Sequence, residues 1–257
     1  MNLAVIACHV LNRELSLACA ESPNVTRVFW LEQGLHNTPE LLRQRIQNCI
    51  GEIDRYQEYT RRHYSAHKLF DAVVLGYGLC SNGVVGVQAG SLPLTVPRCD
   101  DCIALFLGSQ QRYLQEFGSR DGIYWYNPGW IETGSTPSAE YYAEKLERYR
   151  RQYGEDNARY LMEAENGWIS EYQNCVYIRS PRFPHPDYEE YTRRAAQQYG
   201  WQYHCLEGDD NLLRHLVNGP WPDDLFLTCQ PGERIEAEYT GKKVRAAAAS
   251  TQIVQKT

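Results

Sequence analysis

No run of eighteen apolar residues occurs in the 257-residue chain, so a transmembrane helix is not expected. Met1 to Cys8 has no basic segment ahead of its apolar stretch, and that stretch is too short for a secretory leader. It reads instead as a buried strand of a cytoplasmic protein. There is no surplus of positive charge either: the formal charge is −6 and the pI near 5.7. That balance argues against a nucleic-acid partner. Neither G-x-x-x-x-G-K-[ST] nor G-x-S-x-G is present, which removes a Walker-type nucleotide site and a hydrolase nucleophile elbow. Gly76-Tyr77-Gly78 lacks the third glycine and the following helix of a dinucleotide fingerprint. No internal repeat has convincing register, and no Pro/Gly-rich linker marks a domain boundary.

Cysteine is plentiful. The nine are Cys8, Cys19, Cys49, Cys80, Cys99, Cys102, Cys175, Cys205 and Cys229. In reducing cytosol such residues serve as metal ligands, catalytic groups or small buried hydrophobes more often than as disulfides.

The hydrophobic pattern alternates strands with helices. Strands are expected at Leu3–Ala7, Arg27–Leu31, Phe70–Gly78, Leu94–Pro97, Ile123–Tyr126, Cys175–Ile178, Trp201–Leu206 and Leu225–Cys229. Between them lie helices at about Leu11–Ala20, from Thr38 and Pro39 onward, Ile103–Phe117, Tyr188–Tyr199 and Asp210–Val217. A polar, tyrosine-rich helical stretch from Ser138 to Glu165 breaks near Gly154. This order predicts an α/β fold, a mainly parallel sheet flanked by helices in Rossmann-like layers. Residues 1–239 read as one domain with a sub-boundary near 135, and 240–257 as a disordered tail. A pair of stacked half-domains is the alternative division.

In an open α/β sheet, ligands bind beyond the carboxyl ends of the strands. Cys8 directly follows the first strand, Cys80 lies in the glycine turn after the third, and Cys99 and Cys102 follow Pro97. If these strands are parallel neighbours, their thiols converge. Backbone N–H groups at helix starts should favour the thiolate form. Three thiolates suit zinc or an iron–sulfur cluster and leave one metal position open. The competing readings are buried free cysteines, or a C-x-x-C redox pair of Cys99 with Cys102. Cys19, Cys49, Cys175, Cys205 and Cys229 fit core positions.

Around the thiols, Asp100 and Asp101 are candidates for acid–base work or for capping the next helix. Asp101 and Glu132 are taken as the catalytic pair. Arg98, Asn82 and Trp130 are taken as substrate-binding groups. Arg98 would pair with an anion, and Asn127-Pro128-Gly129-Trp130 would roof the crevice unless it is an ordinary turn. His9 stands next to Cys8 but is not counted in the site.

Ala7-Cys8 with Glu14-Leu15, Gly76-Tyr77-Gly78-Leu79-Cys80-Ser81-Asn82-Gly83, Pro97-Arg98-Cys99-Asp100-Asp101-Cys102 followed by Ile103-Ala104-Leu105-Phe106-Leu107-Gly108-Ser109, and Pro128-Gly129-Trp130 together resemble the uncharacterised family filed as domain of unknown function 1638. The likeness spans most of residues 1–235. The family's pattern takes in Cys8, Cys80 and Cys102 and often omits Cys99, which implies a three-cysteine site rather than a redox pair. Relatives in anaerobes and methanogens often lie near corrinoid-dependent methyl-transfer genes, implying metal or one-carbon chemistry. The arrangement also looks like that of desulfidases whose cluster is held by three cysteines, an analogy of architecture alone. The leading expectation is a [4Fe–4S] cluster on Cys8, Cys80 and Cys102 with one iron open to a small-molecule substrate, for Lewis-acid, sulfur-transfer or desulfidase-type chemistry. The alternatives are zinc–thiolate methyl transfer and a non-catalytic partner of corrinoid methyltransferases.

Overall fold

The computed structural model describes residues 1–65, 69–239 and 241–249. It divides into two compact units, Met1–Gln110 with Asp210–Thr257, and Gln111–Asp209. The second unit is thus inserted in the chain of the first, and no single cut near residue 135 describes it.

The first unit is built on a five-stranded sheet in the order β2-β1-β3-β4-β8. Its strands are β1 (Asn2–Cys8), β2 (Val25–Leu31), β3 (Ala72–Gly76), β4 (Leu94–Pro97) and β8 (Phe226–Cys229). The first four run parallel and β8 antiparallel. β1 lies between β2 and β3, and Leu3 to Ala7 are all 0% exposed, as an apolar strand covered on both faces requires. The chain leaves β1 for β2 through α1 (Asn12–Glu21). It returns through α2 (Pro39–His63) to β3 on the other side of β1. Right-handed crossovers in opposite directions put α1 and α2 on opposite faces. The carboxyl ends of β1 and β3 therefore flank a topological switch point, where doubly wound sheets open a crevice.

α2 is long because its apolar residues recur at helical spacing: Leu42, Ile46, Cys49, Ile50 and Ile53 are all buried. Pro39 sits in its first turn, as expected. The helix also supports the loop that follows β3. Arg43 donates to the Val85 carbonyl (2.5 Å), Gln47 receives the Gln88 N–H, and Asp54 accepts from the backbone and hydroxyl of Ser91.

The expected helix over Ile103–Phe117 is two, α3 (Cys102–Phe106) and α4 (Gln110–Gly118). They are separated at Gly108, whose φ of 72° ends the first. α9 (Asn211–Asn218) completes the helices of this unit.

The tail expectation fails for Lys243–Ala248. That segment is β10, paired antiparallel with β9 (Glu233–Glu238). Its alanines hide the pattern, because one residue from each strand, Ile235 and Val244, reaches the core at 0% exposure. β9 in turn bonds the loop after β3, with the Gly86 N–H donating to the Ile235 carbonyl and the Ile235 N–H to Val87. Residues 250–257 of the expected tail lie outside the described residues.

The second unit carries a parallel sheet, β5 (Ile123–Tyr126), β6 (Asn174–Arg179) and β7 (Gln202–Glu207), in sequential order. Its helices are α5 (Pro128–Thr133), α6 (Ala139–Tyr153), α7 (Glu155–Asn166) and α8 (Pro186–Tyr199). Gly154, at a φ of 79°, makes the predicted break between α6 and α7. The core is aromatic: Tyr126, Tyr177 and Trp201 pack with Cys175 and the α8 alanines Ala195 and Ala196. Two sheets, one mostly and one wholly parallel, each with helices between their strands, make the chain an α/β protein as its sequence predicts.

Candidate functional site

Three loops meet at the switch point of the first unit. The first is the end of β1. Cys8 is its last residue and is buried, and the chain turns at once into a short helical stretch at His9–Leu11.

The second loop leaves β3 through Gly76-Tyr77-Gly78. Neither glycine has room for a side chain. A Cβ on Gly76 would lie 2.7 Å from that of Ala7, and one on Gly78 would lie 2.7 Å from the Asp101 nitrogen. The chain then runs through three successive non-glycine residues at positive φ, Cys80 (46°), Ser81 (57°) and Asn82 (64°). Side chains in this left-handed region cost about 1–2 kcal/mol each, asparagine least. Such a run persists only where its surroundings hold it. Here they do: Leu79 and Cys80 donate to the carbonyls of Cys99 and Asp100, and Gly83 to that of Cys80.

The third loop follows β4 and carries Cys99 and Cys102. Asp101 caps α3, its carboxylate accepting from the Ile103 N–H at 2.8 Å, so the capping role weighed for this turn is the one observed. Asp100 exchanges hydrogen bonds with Gln110 (2.9 and 2.7 Å) and pairs with Lys243 at 2.9 Å.

All nine cysteines are free thiols. Cys8, Cys80, Cys99 and Cys102 form one electrostatic group in which Cys102 feels the charge of the other three. Burial is the main cause that pushes each of the four thiols up, and the Asp101 carboxylate adds to it at Cys80, Cys99 and Cys102. Backbone N–H groups do favour the anions, from Val10 at Cys8 and from Gly78 and Cys102 at Cys80. Burial outweighs them. The expected thiolates are therefore neutral thiols in the free protein, and α3 is too short to reverse that.

Tyr77 was not foreseen. It is 3% exposed, and its hydroxyl faces the Cys8 sulfur without a well-formed hydrogen bond. Yet its own pKa is raised by burial and by the charges of Cys8, Cys80 and Cys102. The sequence signal was its level: Ala7 pairs with Gly76, so the next residues, Cys8 and Tyr77, stand side by side.

The remaining candidates each have a place within their own unit. Arg98 is 7% exposed and its guanidinium is occupied. It binds the carbonyls of Asp223, Phe226, Lys242 and Val244 and the Asp223 carboxylate, clamping β8 and the β9–β10 hairpin rather than facing a substrate. Asn82 is exposed beside Cys80. Trp130 and Glu132 belong to α5 of the second unit, where Asn127 caps the helix and Glu132 accepts from the Tyr188 hydroxyl at 3.1 Å. Cys49, Cys175 and Cys229 are buried and Cys19 and Cys205 half-buried. Burial raises the Cys49 thiol to about 11 and that of Cys175 to about 12.

Among the described residues, no three His, Cys, Asp or Glu side chains are arranged to hold a metal ion. No helix is long and apolar enough to cross a membrane. Residues 30–217 match the family described as "Protein of unknown function (DUF1638)". The match covers Tyr77, Cys80, Cys99 and Cys102 and begins after Cys8. No curated protein and no solved structure matches the chain.

Proposed function

The chain belongs to the DUF1638 family, and on that premise we propose that it is a metalloprotein holding a [4Fe–4S] cluster through Cys8, Cys80 and Cys102. One observation carries this reading: thiols from three loops gather at the switch point, with backbone amides and a buried tyrosine hydroxyl around them.

The donor set, three cysteine sulfurs from three loops, suits a cluster. In a cluster each thiolate binds its own iron. The amides of Val10, Gly78 and Cys102 supply the hydrogen bonds to sulfur that tune such groups.

Bound there, the cluster would supply one iron without a protein ligand, a Lewis acid or sulfur acceptor for a small substrate. The chain's own residues do the rest. Gly76 and Gly78 let three backbones close around the site. Asp101 fixes the start of α3 and hence Cys102. Cys99 donates to the Asp101 carbonyl (3.6 Å) and acts as a neighbour, not a ligand. A cytoplasmic, enzymatic role goes with this reading, and any corrinoid-protein partner rests only on the resemblance. Trp130 and Glu132 enter no step.

Anaerobic purification, reconstitution and assay of iron and sulfide test it. The expected result is a brown protein with about four of each per chain. A colourless, iron-free product overturns it, and stoichiometric zinc without visible absorption replaces it with the zinc–thiolate alternative.

A further inference from the structure

Tyr77 stands level with Cys8 on the neighbouring parallel strand, because the pairing of Ala7 with Gly76 carries forward by one residue. Residues level with each other in a parallel pair point to the same face. The ring has no freedom to leave. Gly76 presses on β1 and Gly78 on the Cys99–Asp101 backbone, so the residue between them is wedged where the three loops meet. The hydroxyl is then a buried donor that faces the Cys8 thiol without a well-formed hydrogen bond. That arrangement is costly in the free protein, since a neutral thiol is a weak acceptor. A metal-bound thiolate is a strong one.

We infer that Tyr77 is a positioning residue whose hydroxyl donates a hydrogen bond to the Cys8 sulfur once that sulfur holds its metal group. The inference rests on Cys8 being a ligand. It assigns the tyrosine no part in the reaction itself: the weak contact of its hydroxyl with the Cys8 thiol becomes a full hydrogen bond in the loaded state, so it stabilises loading and lowers the electron density on one ligand. Hydrogen bonds to sulfur raise the reduction potential of such clusters.

Tyr77→Phe removes the hydroxyl and keeps the ring. Its effect should change sign with loading. In the metal-free protein, losing a buried donor that has only a weak thiol partner raises the melting temperature. In the loaded protein the same change makes the reduction potential more negative, by redox titration followed by electron paramagnetic resonance, and speeds loss of iron to a chelator several-fold. A purely structural tyrosine would move both states in the same direction and leave the potential unchanged, and that outcome overturns the inference. If the wild-type chain loads iron and Tyr77→Phe matches it in potential and chelation rate, the inference fails while the cluster stands. If the wild-type chain binds no iron, the cluster reading fails and the inference with it.

Discussion

Cys80 owes its position to a backbone conformation that its own side chain opposes. The run Cys80-Ser81-Asn82 is left-handed throughout, and Ser81 is exposed, with a side chain that the turn does not need. Ser81→Gly should therefore stabilise the protein by about 0.5–1 kcal/mol in chemical denaturation, the relief of a strained φ less the extra freedom of an unfolded glycine. Iron content should stay the same. Cys80→Ser has the opposite signature: a folded protein by circular dichroism that no longer retains iron after reconstitution. Individual residues were unevenly legible in the sequence. The three thiols could be picked out because each follows a strand. Arg98 could not, since its partners Asp223, Phe226, Lys242 and Val244 lie over a hundred positions away, and a buried clamp has the same local sequence as an anion-binding arginine.

Between elements, the site depends on close backbone approach. Gly78→Ala would drive a methyl into the Asp101 backbone at 2.7–2.8 Å, where no flexible side chain can yield. A loss of about 1–3 kcal/mol is expected, together with lost iron, because the loops bearing Cys80 and Cys102 separate. Arg98→Met should cost about 3 kcal/mol in urea unfolding by leaving carbonyls on β8 and the hairpin unpaired. It should also open the β9–β10 turn to limited proteolysis. Periodicity found the strands of the five-stranded and three-stranded sheets and placed the start of α2. It missed the β9–β10 hairpin for a physical reason. Only Ile235 and Val244 are buried there, and two anchors make no period.

At the scale of the whole molecule, the buried thiols couple stability to pH. Burial raises Cys8, Cys80, Cys99 and Cys102 at the site and Cys175 and Cys229 in the two cores. A raised folded-state pKa means that the unfolded chain loses its protons first, so unfolding releases protons and alkaline conditions favour it. The stabilising contribution is complete below the ordinary thiol value, about 8.5, and drains away above it. The melting temperature of the metal-free protein should fall as pH rises from 8 to 10. Metal loading should run the other way. Each ligand must give up its proton, so apparent affinity rises with pH over the range where thermal stability begins to fall. A melting temperature flat to pH 10 would mean that these thiols are not buried as described.

The insertion of residues 111–209 also dictates an order of events on the ribosome. Cys8, Cys80 and Cys102 all emerge early, with strands β1 to β4, yet the outer edge of β4 finds its partner only when Phe226–Cys229 appears. Until then a nascent sheet waits with one open edge, the kind that invites pairing with another chain. Arg98 meanwhile waits for the carbonyls of Lys242 and Val244. The residues that gather the sulfurs are thus synthesised long before those that lock them, and the proposed cluster would enter a chain whose cradle closes late.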